Sequence, residues 1–200
     1  MMRKASCVIR STFLSILLGF SSSSYGQTGA EDIETWQQWQ TVGEARLSWF
    51  VFDIYDSKLV TPNGEFEVNA DVTPHPLALE VNADVTPHPL ALEIRYLRDI
   101  SREDLLSATE EQWQKMGITA KKPWRDSLEL IFPNIKKGDK LTYITDGEKG
   151  RLLFIRHDSD KAEVAGDVAD QELNDAFLAI WLSPKTQYPS LRAKLIGWNQ

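Results

Sequence analysis

Two hundred residues with 29 acidic and 22 basic side chains, a formal charge of −7 and one cysteine leave room for a single domain with a proper core. The negative balance argues against nucleic acid and anionic membrane surfaces as partners. Cys7, the lone cysteine, gives no disulfide framework.

The first residues read as an export signal. Arg3, Lys4 and Arg10 make a positive start, residues 13–20 form a short apolar run, and Ser24 and Gly26 are small residues at the positions a signal peptidase inspects. The run is shorter than the about 20 apolar residues of a membrane-spanning helix, and no comparable run follows. The expectation is a signal peptide over residues 1–26, cleaved near Gly26, and a mature domain over residues 27–200 without a membrane span. Its location is periplasmic or secreted. Cleavage removes Cys7 and three basic residues, which takes the formal charge to −10.

Residues 45–56 read as one strand buried on both faces, with Ala45, Leu47, Trp49 and Val51 on one side. Arg46, Phe50, Phe52 and Ile54 fall on the other. A turn at Thr61-Pro-Asn-Gly64 leads to a short paired strand over residues 65–69. A tandem repeat of thirteen residues follows, at 67–79 and again at 80–92. A chain tolerates such a copy where it can be looped out, so the repeat marks a surface connection. The second copy runs into a strand in which Leu90, Leu92, Ile94 and Tyr96 share one apolar face, and residues 68–80 are expected to bulge out, with residues 77–81 available for an added hairpin.

Ser101 opens a helix, with Asp104 three residues on, and Gly117 ends it. A second helix spans residues 124–132 and stops at Pro133. Residues 140–145 and 151–157 form a hairpin across 146–150, and a third short strand is expected at 162–164. Leu173, Phe177, Ile180 and Trp181 follow a helical stripe, and a last short helix runs over 189–196 before Gly197. Strands, helices, strands and helices in that order mean an α+β fold, with a mainly antiparallel sheet covered by helices on one face.

The Pro-His-Pro triplets around His75 and His88 imitate a ligand pair, but no third ligand repeats with them. They read as solvated loop residues, and no metal site or cofactor is assigned. His157-Asp-Ser-Asp160 lies at a strand end entering a turn, and no nucleophile elbow or glycine-rich phosphate loop is present. Most of the tryptophans fall on apolar stripes and read as core rather than as a sugar platform. Arg46 is the candidate of interest, since beside Phe50, Phe52 and Ile54 its guanidinium would stand at the mouth of an apolar cavity and hold a carboxylate or phenolate.

Several stretches together resemble the chalcone isomerase-like family, in particular its exported bacterial branch. They are Gly43-Glu-Ala-Arg46 with Phe52-Asp-Ile-Tyr55-Asp-Ser-Lys-Leu59, Pro89-Leu-Ala-Leu-Glu-Ile-Arg-Tyr-Leu-Arg-Asp-Ile-Ser101, Trp113, Lys137-Gly-Asp-Lys-Leu141, and Phe177-Leu-Ala-Ile-Trp-Leu-Ser183 followed by Pro189-Ser-Leu-Arg-Ala-Lys-Leu-Ile-Gly197. The resemblance implies an open-faced β-sandwich, a large antiparallel sheet backed by a layer of helices with a ligand cleft between them. It also implies Arg46 at the position of the family's oxyanion-holding arginine. Counting back from Trp113, the family's tyrosine, lysine and asparagine positions fall at about Ser101, at Asp104 and near Ala108. Those residues lack the donors that chalcone cyclisation needs. The resulting expectation is non-catalytic binding of a small amphipathic ligand, a fatty acid or a phenolic compound, by Arg46, Tyr55 and Tyr96. The alternatives are an isomerase or intramolecular lyase acting on an enone or phenolic substrate, and a protein-interaction module with no ligand.

Overall fold

A computed structural model describes residues 35–66 and 88–198. A 3₁₀ turn at Trp36–Gln38 leads into β1 (Gln40–Trp49), β2 (Phe52–Thr61) and β3 (Leu90–Tyr96). Helices α1 (Arg102–Met116) and α2 (Lys122–Ile131) follow, then β4 (Lys140–Thr145), β5 (Gly150–Ile155) and β6 (Ala162–Val168). Helices α3 (Gln171–Leu182) and α4 (Pro189–Leu195) end the chain. The six strands pair antiparallel in chain order, β1 to β6, so the sheet is a meander. The α+β class with an open antiparallel sheet and helices on one face is the arrangement expected from the order of elements.

Alternation along the strands decides which face the helices cover. Tyr55, Leu92, Ile94, Tyr96, Leu141, Tyr143 and Leu152 point to the helices and join a core with Trp113 of α1, Trp124 of α2 and Phe177 and Trp181 of α3. On the opposite face Trp36 covers a smaller cluster of Val60, Ala91, Ile144 and Leu153. The rest of that face is charged, with Glu44, Arg46, Asp56, Lys58, Glu93, Arg95 and Lys140 around a shallow concavity.

The helix ends follow the signals in the sequence. Ser101 Oγ accepts a hydrogen bond from Asp104 N at 3.1 Å, and Gly117 closes α1 at a φ of 75°. Asp170 Oδ1 accepts from Leu173 N at 3.0 Å to start α3. The buried indole of Trp113 donates to Ala176 O at 2.7 Å, which fixes the spacing of α1 and α3. Pro123 falls in the first turn of α2, so that helix begins before Trp124, and the third strand of the second sheet half extends to Val168.

Three expectations need correction. Residues 45–56 are not one strand: β1 and β2 are a hairpin that turns at Phe50 and Val51, with Trp49 opposite Phe52. Trp49, Phe50, Val51 and Phe52, expected in the interior, are exposed, Phe50 and Val51 at 87% each. Glu65 and Phe66 lie outside any strand, and the rest of the proposed strand over 65–69 lies outside the described residues. The first repeat copy, His75, the bulge over 68–80 and the hairpin over 77–81 lie outside them as well, whereas Leu90, Ala91 and Leu92 of the second copy are in the sheet as β3.

Candidate ligand cleft

Between the inner face of β2–β5 and helices α1 and α3 lies a cavity of about 420 Å³. That is within the range of small-molecule sites. Its walls are mostly apolar, built from Ile54, Leu92, Ile94, Leu141, Leu152, Phe177 and Ile180, with Leu47 and Trp49 of the hairpin at one side. A register shift in the β1–β2 pairing lets Ile54 join this wall. Leu47 opposes Tyr55 and Ser48 opposes Asp53, so Ile54 is the extra residue of a β-bulge.

Tyr55 and Tyr96 sit opposite each other on neighbouring strands, their rings edge to face with centroids 6.1 Å apart, and both line the cavity. Trp181 Nε1 donates to the Tyr55 oxygen at 2.8 Å, which leaves the Tyr55 proton for another acceptor. No described residue hydrogen-bonds the Tyr96 hydroxyl. Burial raises both phenols above their ordinary range, against the Trp181 hydrogen bond in the case of Tyr55. Both therefore stay neutral O–H donors, with no phenolate present to act as a base.

Gln112 of α1 is a second polar point in the wall. Its Nε2 donates to Tyr188 Oη at 3.2 Å, while Oε1 is buried with no partner among the described residues. Sequence reasoning missed it. The signal was present, because Leu105, Thr109, Gln112 and Met116 share one helical stripe and a glutamine among them points inward. The rim carries Asp104, Glu111 and Lys115, the last two paired at 2.6 Å. Among the described lining residues Lys115 is the one cation, and Glu111 already engages it.

Arg46 is not in this cleft. It opposes Asp56 across the hairpin and points to the other face of the sheet, half exposed. There Nε donates to Asp56 Oδ1 at 2.6 Å and Nη1 to Asp53 Oδ2 at 3.0 Å. The hydrogen bond and charge of Asp56, followed by the charge of Asp53, hold its pKa up. The turn at Phe50 and Val51 is the reason for the misplacement, since reversing the chain separates Arg46 from the residues with which it was to share a face.

The three positions on α1 that the family resemblance singled out are also placed. Ser101 caps the helix and donates to Asp104 Oδ2 at 2.6 Å, while Asp104 and Ala108 line the cavity. A carboxylate and a methyl group there supply no donor for developing negative charge. His88, half-buried, stands against Gly147 of the β4–β5 turn.

Residues 68–197 match the chalcone isomerase-like family, so β3 to α4 lie within the matched stretch and β1 and β2 before it. An uncharacterized protein of Haemophilus influenzae is 23% identical over 189 residues, 94% of this chain and 78% of the relative. The match to the family covers more than half of the chain, four of the six described strands and the helices that enclose the cleft, and the chain belongs to the chalcone isomerase-like family.

Proposed function

We propose that this protein binds a small amphipathic ligand, such as a fatty acid, with its apolar part in the cleft and its polar end on Tyr55 and Tyr96. The observation that carries the reading is the mostly apolar 420 Å³ cavity in which two phenols keep their protons. Those O–H groups suit a carbonyl or carboxyl oxygen. A buried carboxylate, by contrast, would meet no free cation there, and its desolvation would go uncompensated. The ligand is therefore a neutral amphipath or the protonated acid, and for a fatty acid the affinity falls as pH rises through the acid's own pKa. Arg46, tied to two carboxylates on the far face, has no part in it. The N-terminal residues support export, which would place the site in the periplasm or outside the cell. Among the described residues no helix is long and apolar enough to cross a membrane.

The isomerase reading is weakened by Asp104 and Ala108, which put no donor where it would be needed. The interaction-module reading expects a packed cleft, and the open volume counts against it. Native mass spectrometry and calorimetry with lauric and palmitic acid test the proposal. The expected result is one-to-one binding, weakened about tenfold by Tyr96→Phe through loss of one hydrogen bond, and unchanged by Arg46→Ala. No binding, or wild-type affinity in both Tyr96→Phe and Tyr55→Phe, would overturn it.

A further inference from the structure

The β1–β2 turn leaves four consecutive large apolar residues in solvent. Trp49, Phe50, Val51 and Phe52 are 67%, 87%, 87% and 60% exposed, whereas the other large exposed apolar residues among those described, Leu130 in α2, Val164 in β6 and Trp198 after α4, sit singly. The turn is built against local preference as well. Phe50 is the one described non-glycine residue with positive φ, at 54°, in a two-residue hairpin loop where glycine is the usual occupant. The Trp49 and Phe50 rings lie 5.5 Å apart, so the tip is a joined aromatic edge. Trp49 also lines the cleft, which makes tip and cavity one continuous apolar path.

We propose that this tip enters the interfacial region of a neutral, zwitterionic lipid surface and seats the mouth of the cleft against it. Three observations favour lipid over a protein partner or a second copy. The tip is a convex end of two strands. Four side chains offer a few hundred Å² at most, well short of the about 800 Å² per partner of a stable protein interface. Aromatic rings at the end of a structured hairpin are suited to the head-group boundary. The charges near the tip and mouth are Arg46 and Lys115 against Asp53, Asp56, Asp104 and Glu111, a net negative set that disfavours anionic lipid. The docking stands on the hairpin alone. Passage of a ligand from lipid into the cleft, without crossing water, rests on the binding function proposed above.

The test is sedimentation of the full chain with phosphatidylcholine vesicles, and with vesicles containing added phosphatidylglycerol. The paired substitution Phe50→Gly with Val51→Asn removes the apolar tip and gives the loop residues that suit it, so the hairpin is retained. The expected result is binding to phosphatidylcholine that is unchanged between about 0.05 and about 0.5 M salt, weakened by phosphatidylglycerol, and reduced about tenfold or more in the variant. The variant keeps its melting temperature and its affinity for lauric acid added from solution. Equal sedimentation of both proteins, no sedimentation of the wild type, or preference for phosphatidylglycerol would overturn the proposal. Self-association abolished in the variant without lipid binding would assign the tip to a second copy instead. Loss of lauric acid binding alone would overturn the ligand reading and leave the docking in place.

Discussion

Asp139 is 2% exposed and lies just before β4, where its two oxygens gather a turn and a strand end. Oδ2 accepts from Lys136 N at 2.8 Å, and Oδ1 accepts from His157 N at 2.8 Å and stands 2.9 Å from His157 Nδ1. Burial pushes this carboxyl up, but the backbone donors of Lys136 and His157 and the His157 ring outweigh it, and the net shift is down. A carboxylate whose folded pKa is lowered contributes stability in full above its unfolded value of about 3.9, and loses it as pH falls through the folded value. Asp139→Asn should therefore cost about 2 kcal/mol at pH 7, with the gap from wild type closing below about pH 4. Urea midpoints for the two proteins at pH 7 and below pH 4 check this, and a gap independent of pH would contradict it. The sequence pattern placed His157 and its following acids in a turn but did not reveal Asp139, because a lone aspartate before a strand resembles any loop residue. The inward placement of Tyr96 was legible from the alternation of Leu90, Leu92, Ile94 and Tyr96, whereas no alternation reading covered Tyr55, which follows the bulge at Ile54. Arg46 was misread because its surroundings were inferred from a strand that in fact reverses direction.

At the scale of elements, the hairpin was the hard case for a physical reason. Residues 49–52 contain no glycine, proline or asparagine, so the run from Ala45 to Asp56 shows no turn chemistry and reads as a long buried strand. The hairpin is held instead by contacts between its strands, with Arg46 spanning Asp53 and Asp56 and Ser48 Oγ donating to Asp53 Oδ1 at 2.6 Å. The helices were legible because capping residues and apolar stripes agree. What the pattern did not show is how the sheet edges are covered. Each edge strand has a register irregularity beside a glycine, Gly43 in β1 and Gly166 in β6, and each glycine receives a helix or its end. A Cβ on Gly43 would lie 2.1 Å from Lys194 O and 2.6 Å from Leu195 O of α4. On Gly166 it would lie 2.1 Å from Ile131 Cγ2 at the end of α2. Gly166→Ala should cost about 1–3 kcal/mol, and Ile131→Ala should return part of that loss, because the obstacle is a side chain. Gly43→Ala meets backbone and should cost at least as much with no trimming that relieves it. Thermal unfolding of Gly43→Ala, and of Gly166→Ala and Ile131→Ala singly and combined, measures the two costs and the Gly166–Ile131 coupling. Additive losses in the double variant would contradict the assignment of the Gly166 contact.

The described strands of the molecule form a six-strand meander whose consecutive strands pair, so a connection between them can change length without rewiring the sheet. The duplication falls in the connection from β2 to β3, and of its described residues, 88–92, Leu90, Ala91 and Leu92 enter a strand. Their side chains are fully buried, and Leu92 opposes Leu59 and Tyr143 in the two neighbouring strands. The two copies are identical, so removing residues 67–79 joins Phe66 to a sequence that still supplies Leu-Ala-Leu directly before Glu93. The sheet register, the inward placement of Leu92, Ile94 and Tyr96, and hence the cleft wall are then preserved. On the expectation that residues 67–79 are looped out, the remaining energetic change is loop closure: roughly halving the connection should stabilise by about 0.6 kcal/mol, which for a domain of this size raises the melting temperature by about 2 °C. Calorimetric melting of the shortened chain beside the full chain, with lauric acid binding measured on both, gives the answer. A small rise with unchanged binding is expected. A fall of more than about 5 °C, corresponding to more than 1 kcal/mol, would mean that the first copy packs onto the fold and would contradict the expectation that it is looped out.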